Sequence, residues 1–236
     1  PKAITILLHF QGEPMLCPHI VEMVSYTTER GLVSEMATNA TLITPSSADA
    51  LVGAGLKKIV LTIDSPNEDD SGFYRKGSTT RSVLDAIGWI QEAKRKHKTS
   101  YPLIVLELLA FKENMSSLAS FVELANKLRV DGARVKTANL SNPQDAEALV
   151  PLGTKFSRYR RTKYGPISLK GKETSLCSAP WFKLSVTHDG WVLPCCFDKD
   201  GYFAMGNASC TSIGSIWRGR SFRNFRGLVL TKRRCV

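Results

Sequence analysis

The 236-residue sequence has no apolar run approaching the ~18 residues a membrane-spanning helix needs. Its longest candidate, Pro102 to Phe111, is interrupted by Glu107. No charged-then-apolar leader of the secretory kind is present, and no internal repeat or low-complexity tract. Acidic residues are scarce: 21 Asp+Glu face 32 Lys+Arg, a formal net charge of +11. The fractions of hydrophobic (43%) and charged (22%) residues are those of an ordinary globular chain, which excludes a disordered tail or a collagen-like repeat. A secreted disulfide scaffold is excluded too, since it would be shorter and denser in cysteine. A cytoplasmic protein is expected. The chain opens on Pro1-Lys2-Ala3 and stops at Cys235-Val236 with no closing element, so both ends read as cut from a longer protein.

What is present alternates. Residues 4–10 (ITILLHF) read as a buried strand broken by Gln11-Gly12-Glu13-Pro14. Residues 19–30 carry helical spacing, and 33–37 a short strand followed by Thr38-Asn39. Thr44 caps a helix with Pro45 at its first position, ending near residues 53–55. The clearest strand is 58–64 (KIVLTID); a helix runs from about 80 to 98, a strand over 103–109, a helix over 118–128 and a strand over 133–137. This alternation predicts an α/β fold, with five parallel strands forming a partial (β/α) barrel over residues 1–137. Ligands of such sheets sit at the C-terminal strand ends. Here those ends are polar: Gln11 to Pro14, Thr38-Asn39, Asp64-Ser65, Lys112 to Asn114, and Lys136.

Residues 138–176 read as a connector, with a short helix at 143–150 and a basic stretch of Lys155, Arg158, Arg160, Arg161 and Lys163. A second module spans 177–236. In it Asp189-Gly190 lies between apolar runs, a strong hairpin signal, and two short helices follow near 212–217 and 221–228.

Five of the six cysteines fall in the last 60 residues. Cys177 and Cys195 bracket the hairpin, separated by twelve residues, Gly190 and four more, so both thiols can reach one metal centre. Cys196 competes with Cys195, because neighbours on a strand point to opposite faces unless the chain turns there. Cys235 can return after the last helix. Thiolates suit zinc and iron–sulfur alike, and spacing does not separate the two. Cys17 and Cys210 read as buried core thiols, His9 as a core histidine without a role, and Trp181, Trp191 and Trp217 as core of the small module. Taken singly, Glu13 reads as a solvated turn residue, Asp64 as a helix cap, and Lys112 and Lys136 as surface charges. Their common position at adjacent strand ends makes them candidates.

The stretch CSAPWFKLSVTHDGWVLPCCFDKDGYFAMGN, followed by SIGSIW, FRNFR and KRRC, resembles a SPASM domain, the auxiliary iron–sulfur module of certain radical S-adenosylmethionine (SAM) enzymes. The frame of Cys177, Gly190 and Cys195 matches, as do Met205-Gly206-Asn207 and Ile216-Trp217, and Cys235 fits the first cysteine of the terminal pair. The N-terminal part resembles the radical SAM core from its second strand onward. Gln11-Gly12-Glu13-Pro14 stands for the Gly-Gly-Glu-Pro turn that holds the SAM amino group. Thr38-Asn39-Ala40 stands for Thr-Asn-Gly, Thr62-Ile63-Asp64 for Ser-x-Asp, and Lys112-Glu113-Asn114 for Lys-x-Asn. Arg75 matches the arginine that approaches the SAM carboxylate.

The resemblance implies SAM bound by Gly12, Glu13, Pro14, Thr38, Asn39, Thr62, Asp64, Arg75, Lys112 and Asn114. It implies an auxiliary [4Fe–4S] cluster on Cys177, Cys195 or Cys196, and Cys235. It further implies generation of a 5′-deoxyadenosyl radical, hydrogen abstraction from a peptide or protein substrate, and an electron donor such as flavodoxin or ferredoxin. One departure is large: the Cys-x-x-x-Cys-x-x-Cys loop that holds the radical SAM cluster occurs nowhere in the sequence and would precede Pro1. The other readings are a non-catalytic iron–sulfur or zinc protein, and a nucleic-acid-modifying relative. The last draws on the basic tail of Arg218, Arg220, Arg223, Arg226, Lys232, Arg233 and Arg234, which also suits an anionic cluster or an acidic peptide.

Overall fold

The computed structural model describes residues 3–67, 77, 79–140, 142–163, 165–170 and 177–231. Arg75 and Cys235 lie outside the described residues. The chain divides into two compact units, residues 1–170 and 171–236.

In the first unit, strands β1 (Thr5–Leu7), β2 (Val33–Thr38), β3 (Lys58–Ile63), β4 (Leu103–Ala110) and β5 (Gly132–Thr137) alternate with helices α1 (Ile20–Glu29), α2 (Pro45–Gly53), α3 (Thr80–Lys96) and α4 (Leu118–Lys127). All four strand pairings are parallel, in the order β1-β2-β3-β4-β5. Because that order never reverses, right-handed crossovers stack every helix on one face; a doubly wound sheet would place helices on both. The sheet is therefore the wall of a barrel, as the alternation predicted.

Helix boundaries follow local chemistry. Thr44 and Ser47 close a reciprocal capping box at the start of α2, with Pro45 at its first position. Thr79 accepts from the Ser82 N–H to start α3, and Lys94, Arg95 and Lys96 complement the dipole at its end. Met36, Ile59, Leu61, Ile63, Ile104, Leu106 and Leu108 face the helices and pack with Val24, Leu51, Ile87, Ile90 and Phe121 in the main core. Alternation then sends Glu35, Ala37, Lys58, Val60, Thr62, Val105 and Glu107 to the opposite, inner face.

Some expectations change. The strand expected over 4–10 is only Thr5–Leu7, and it is not buried: Ile4 is 76% and Leu7 57% exposed. Among the described residues it pairs with β2 on one side. Cys17 packs half-buried against the main core as expected, but Cys210 is exposed. Within 138–170 the expected short helix is a 3-10 turn at Pro143–Asp145 running into α5 (Ala146–Leu149). The basic stretch beyond it is not irregular: β6 (Tyr159–Thr162) and β7 (Gly165–Leu169) pair antiparallel. Tyr159 and Ile167 of this hairpin share a small core with Phe111, Ala138, Ala146 and Val150. Arg160 and Arg161, both exposed, follow the buried Tyr159 directly and hid the strand from a hydrophobicity reading.

The second unit contains α6 (Ala179–Phe182), β8 (Ser185–Val186), β9 (Val192–Leu193), α7 (Ile213–Arg218) and α8 (Arg220–Leu230). The hairpin forms where Asp189-Gly190 placed it: Ser185 pairs with Leu193 and Val186 with Val192, and Gly190 turns the chain at φ +87°. A side chain at Gly190 would collide with Asn207 Oδ1 and Ser209 Oγ, both 2.8 Å from the Cβ position. Residues 205–208 run beside β9, with Val192 N–H donating to Gly206 O and Met205 N–H to Val192 O. Val192, Ile216 and Phe222 make the core, with Trp217 against them; Trp191, expected inside, is 45% exposed. Among the described residues, no helix is long and apolar enough to cross a membrane.

Candidate functional site

The rim at the C-terminal ends of β1 to β4 is built around Glu13. Gly12 at φ +77° reverses the chain after β1, and buried Pro14 opens a 3-10 turn that Glu13 caps. The carboxylate reaches across to β2. Its Oε1 accepts from Met15 N–H at 3.1 Å and from Thr38 Oγ1 at 2.6 Å, and its Oε2 from Asn39 N–H at 3.0 Å. Glu13 is thus a cross-strand brace, not the solvated turn residue its isolated reading suggested. Two donors reach Oε1 and one reaches Oε2, so Oε2 retains capacity for a further donor such as an ammonium.

Thr38 extends the brace. It is 2% exposed, its hydroxyl accepts from Ala40 N–H at 3.1 Å, and its carbonyl accepts from Thr62 Oγ1 at 3.2 Å. Asn39 turns its side chain onto its own loop, accepting from Thr41 N–H and Oγ1. Ala40 holds φ +66°, a conformation that suits the glycine of the resembled motif.

Asn114 performs the matching task at β3 and β4. It is 2% exposed, and its amide donates to Asp64 O at 2.9 Å and Leu109 O at 2.8 Å while accepting from Phe111 N–H at 2.9 Å. Both amide protons are used within the fold. Asp64 is buried beside it. Lys112 is exposed, and its ammonium donates to Glu147 O in α5 rather than to the brace. The structure thus joins Glu13, Thr38, Asn39 and Thr62 in one hydrogen-bonded chain and Asp64 with Asn114 in a second. Gly12 and Pro14 shape the first, and Lys112 joins neither.

His9 was the residue missed. It lies just past β1, and its Nδ1 accepts the Ala37 N–H at 3.2 Å, standing in for a ladder carbonyl that the short strand does not supply. That bond requires an unprotonated Nδ1. Burial holds the imidazole below its usual range, with the Lys136 charge acting the same way against the nearby Glu107, Glu35 and Glu13. Its place before a polar turn was the one available signal.

In the second unit, β9 ends at Leu193 and the chain turns, with Asp198 N–H bonding Cys195 O at 3.2 Å. The expectation that Cys195 and Cys196 point to opposite faces of a strand therefore does not apply. Buried Asp198 fixes this turn by accepting from Tyr202 N–H at 2.9 Å and Phe203 N–H at 2.8 Å. The Phe197 N–H approaches Cys195 Sγ at 3.5 Å. Partial desolvation and the neighbouring Cys195 and Cys177 thiols push the Cys196 thiol above its usual range, with Lys183 opposing weakly. Both neighbouring thiols act on Cys196, and a soft cation would reverse that repulsion. Among the described residues, no three His, Cys, Asp or Glu side chains gather closely enough to hold a metal ion. The donor chemistry fits a thiolate-bound cluster, but these residues do not close the site by themselves. One buried side-chain nitrogen among them has no partner, Arg226 Nη2; its guanidinium stacks on Trp217 and Phe222 and donates to Pro180 O and Trp217 O.

A parallel barrel wall with a braced, polar C-terminal rim, followed by a cysteine-bearing hairpin unit, defines an α/β architecture with a small second unit. The Radical SAM superfamily model matches residues 2–125, and the chain belongs to that superfamily. The SPASM model, an iron-sulfur cluster-binding domain, matches residues 177–236. The chain is 27% identical over 243 residues to a PqqA peptide cyclase of Rhizobium meliloti, covering 93% of this chain and 63% of the cyclase. It is also 27% identical over 254 residues to an AdoMet-dependent heme synthase of Nitratidesulfovibrio vulgaris, covering 94% and 68%. The chain thus spans about two thirds of the length of these curated relatives. Among solved structures, Streptococcus suis SuiB bound to S-adenosylmethionine superposes with a TM-score of 0.66 at 14% identity, covering 96% of this chain and 57% of SuiB. This last likeness concerns the fold alone.

Proposed function

We propose that this chain forms the SAM-binding wall and auxiliary-cluster module of a cytoplasmic radical SAM enzyme that modifies a peptide or protein. When bound, SAM and a reduced [4Fe–4S] cluster supply a 5′-deoxyadenosyl radical for hydrogen abstraction. The observation that carries the reading is the Glu13 brace, because it orients a carboxylate on the rim and leaves Oε2 able to accept an ammonium. Gly12 and Pro14 fix the turn that carries it, Thr38 and Asn39 hold it in place, and Thr62 ties β3 to the same network. Asn114 positions the Asp64 end of the rim through backbone contacts, and Arg75, outside the described residues, is assigned to the SAM carboxylate by the motif it resembles. Cys177, Cys195 or Cys196, and Cys235 ligate the auxiliary cluster. Arg226 contributes positive charge to that unit.

The peptide substrate is favoured by the name of the cyclase relative and by the fold shared with SuiB, a structure of which is bound to the precursor peptide SuiA. Flavodoxin or ferredoxin is the proposed electron donor. The activity belongs to the protein in which this chain is accompanied by a Cys-x-x-x-Cys-x-x-Cys loop. In that protein, reconstituted anaerobically with iron and sulfide and reduced with dithionite, SAM should be cleaved to 5′-deoxyadenosine and methionine. Absence of cleavage with the loop cluster fully assembled would favour a non-catalytic iron–sulfur or zinc protein.

A further inference from the structure

The inner face of the sheet carries charge arranged in register. Glu35 of β2 lies opposite Lys58 of β3 and pairs with it at 3.3 Å, one cation to one anion. The next charged row is not balanced. Thr62, Glu107 and Arg134 are aligned across β3, β4 and β5, and Lys136 follows Arg134 on the same face two residues on. The Glu107 side chain is only 6% exposed, and its Oε2 accepts from Arg134 Nε at 2.6 Å. Lys136 Nζ stands 3.8 Å from Glu107 Oε1, beyond hydrogen-bond range. Among the described residues, neither Arg134 Nη1 nor Nη2 has a partner, and Lys136 has no other.

Two cations therefore share one carboxylate. Of the other titratable groups near this row, Glu35 is paired with Lys58, Glu13 accepts from Met15, Thr38 and Asn39, and His9 is held toward its neutral form by burial and by Lys136, so among the described residues neither Arg134 nor Lys136 gains a second carboxylate at contact distance. The Arg134 side chain is 49% and the Lys136 side chain 63% exposed, so both remain accessible above a buried anion that fixes the guanidinium through Nε. A guanidinium anchored at Nε presents its two terminal nitrogens as a planar fork, which matches a carboxylate two bonds at a time.

We propose that Arg134 and Lys136 form a carboxylate-binding site on the inner wall, seating an acidic side chain or terminus of the molecule processed there. The proposal rests on the functional reading for the location of the substrate. A carboxylate on this fork has two sources, the substrate and SAM itself, and we assign the substrate.

The test uses the full chain, with three probes titrated separately by calorimetry or NMR: the tripeptide Ac-Gly-Glu-Gly-amide, its neutral partner Ac-Gly-Gln-Gly-amide, and SAM. The acidic tripeptide should bind about tenfold tighter than the neutral one, as one charge-assisted pair implies. Lys136→Gln and Arg134→Gln should each remove most of that preference, Lys136→Arg should keep it, and SAM affinity should not move. Lys136→Gln leaves the Arg134–Glu107 pair intact, so it remains readable if Arg134→Gln unfolds. An equal affinity for the two tripeptides in the parent, or a preference that survives Lys136→Gln, would overturn the site. A loss of SAM affinity with the tripeptide preference unchanged would assign the fork to SAM and overturn the substrate assignment. Failure of SAM cleavage while the preference persists would remove the enzymatic reading and leave the carboxylate site standing.

Discussion

Replacing Asn114 with Ala separates a ligand from a brace. Asn114 is 2% exposed and makes three hydrogen bonds, all to backbone groups at the ends of β3 and β4: Asp64 O, Leu109 O and Phe111 N–H, at 2.8 to 2.9 Å. Each such bond contributes about 1 kcal/mol net, and its loss leaves a main-chain group buried without a partner. Asn114→Ala should therefore cost about 3 kcal/mol, a large share of the stability of an average domain. Asn114→Asp should cost at least as much, because it retains the acceptor for Phe111 N–H but points a carboxylate oxygen at two carbonyls. Urea unfolding followed by far-ultraviolet circular dichroism measures the global loss, and hydrogen exchange at the Phe111 amide reads the local one. A loss below about 0.5 kcal/mol with unchanged Phe111 protection, accompanied by weakened SAM binding, would refute the bracing role and make Asn114 a direct ligand.

Three further outcomes are expected. His9 is depressed below its usual range, so its contribution is present above pH 6.5 and is lost as pH falls from there toward its folded value; the thermal midpoint of the parent should drop between pH 7 and 5 more steeply than that of His9→Phe, and parallel curves would count against it. Ala40 at φ +66° is strained, so Ala40→Gly should raise stability by up to about 1 kcal/mol in denaturant titration, and a destabilised variant would contradict that. Cys177→Ala should abolish the iron–sulfur absorbance of residues 177–236 after anaerobic reconstitution in the protein that carries this chain, whereas Cys210→Ala, a thiol outside the resembled cysteine frame, should leave it intact; equal loss in both would remove the ligand assignment.

The sheet was legible because it is periodic. Runs such as KIVLTID and LIVLELL are long, apolar and bounded, and each became a strand within a residue or two of its expected limits. The capping chemistry of Thr44 and the turn at Asp189-Gly190 were equally local, and local signals survive folding. What sequence did not reveal depends on neighbours. The early end of β1 at Leu7 follows from its pairing with β2, not from the apolar content of residues 4–10. The β6–β7 hairpin is stabilised by Phe111 and Ala138, distant in sequence, while β6 itself carries Arg160 and Arg161. The polar rim was expected from strand ends, but which residues touch was not: Glu13 reaches Thr38 and Asn39 across 25 and 26 positions, and Asn114 reaches Asp64 across 50. His9 looked like a core residue because its role, replacing a backbone acceptor for Ala37, exists only once β1 has ended early.

The role of Glu13 as the acceptor of the SAM ammonium is tested most directly by calorimetry on the protein that carries this chain, comparing the parent with Glu13→Gln. Loss of a charge-assisted bond of ~1.5–3 kcal/mol should weaken SAM binding at least tenfold, with the fold retained by circular dichroism. SAM affinity unchanged within twofold in a folded Glu13→Gln variant would contradict it.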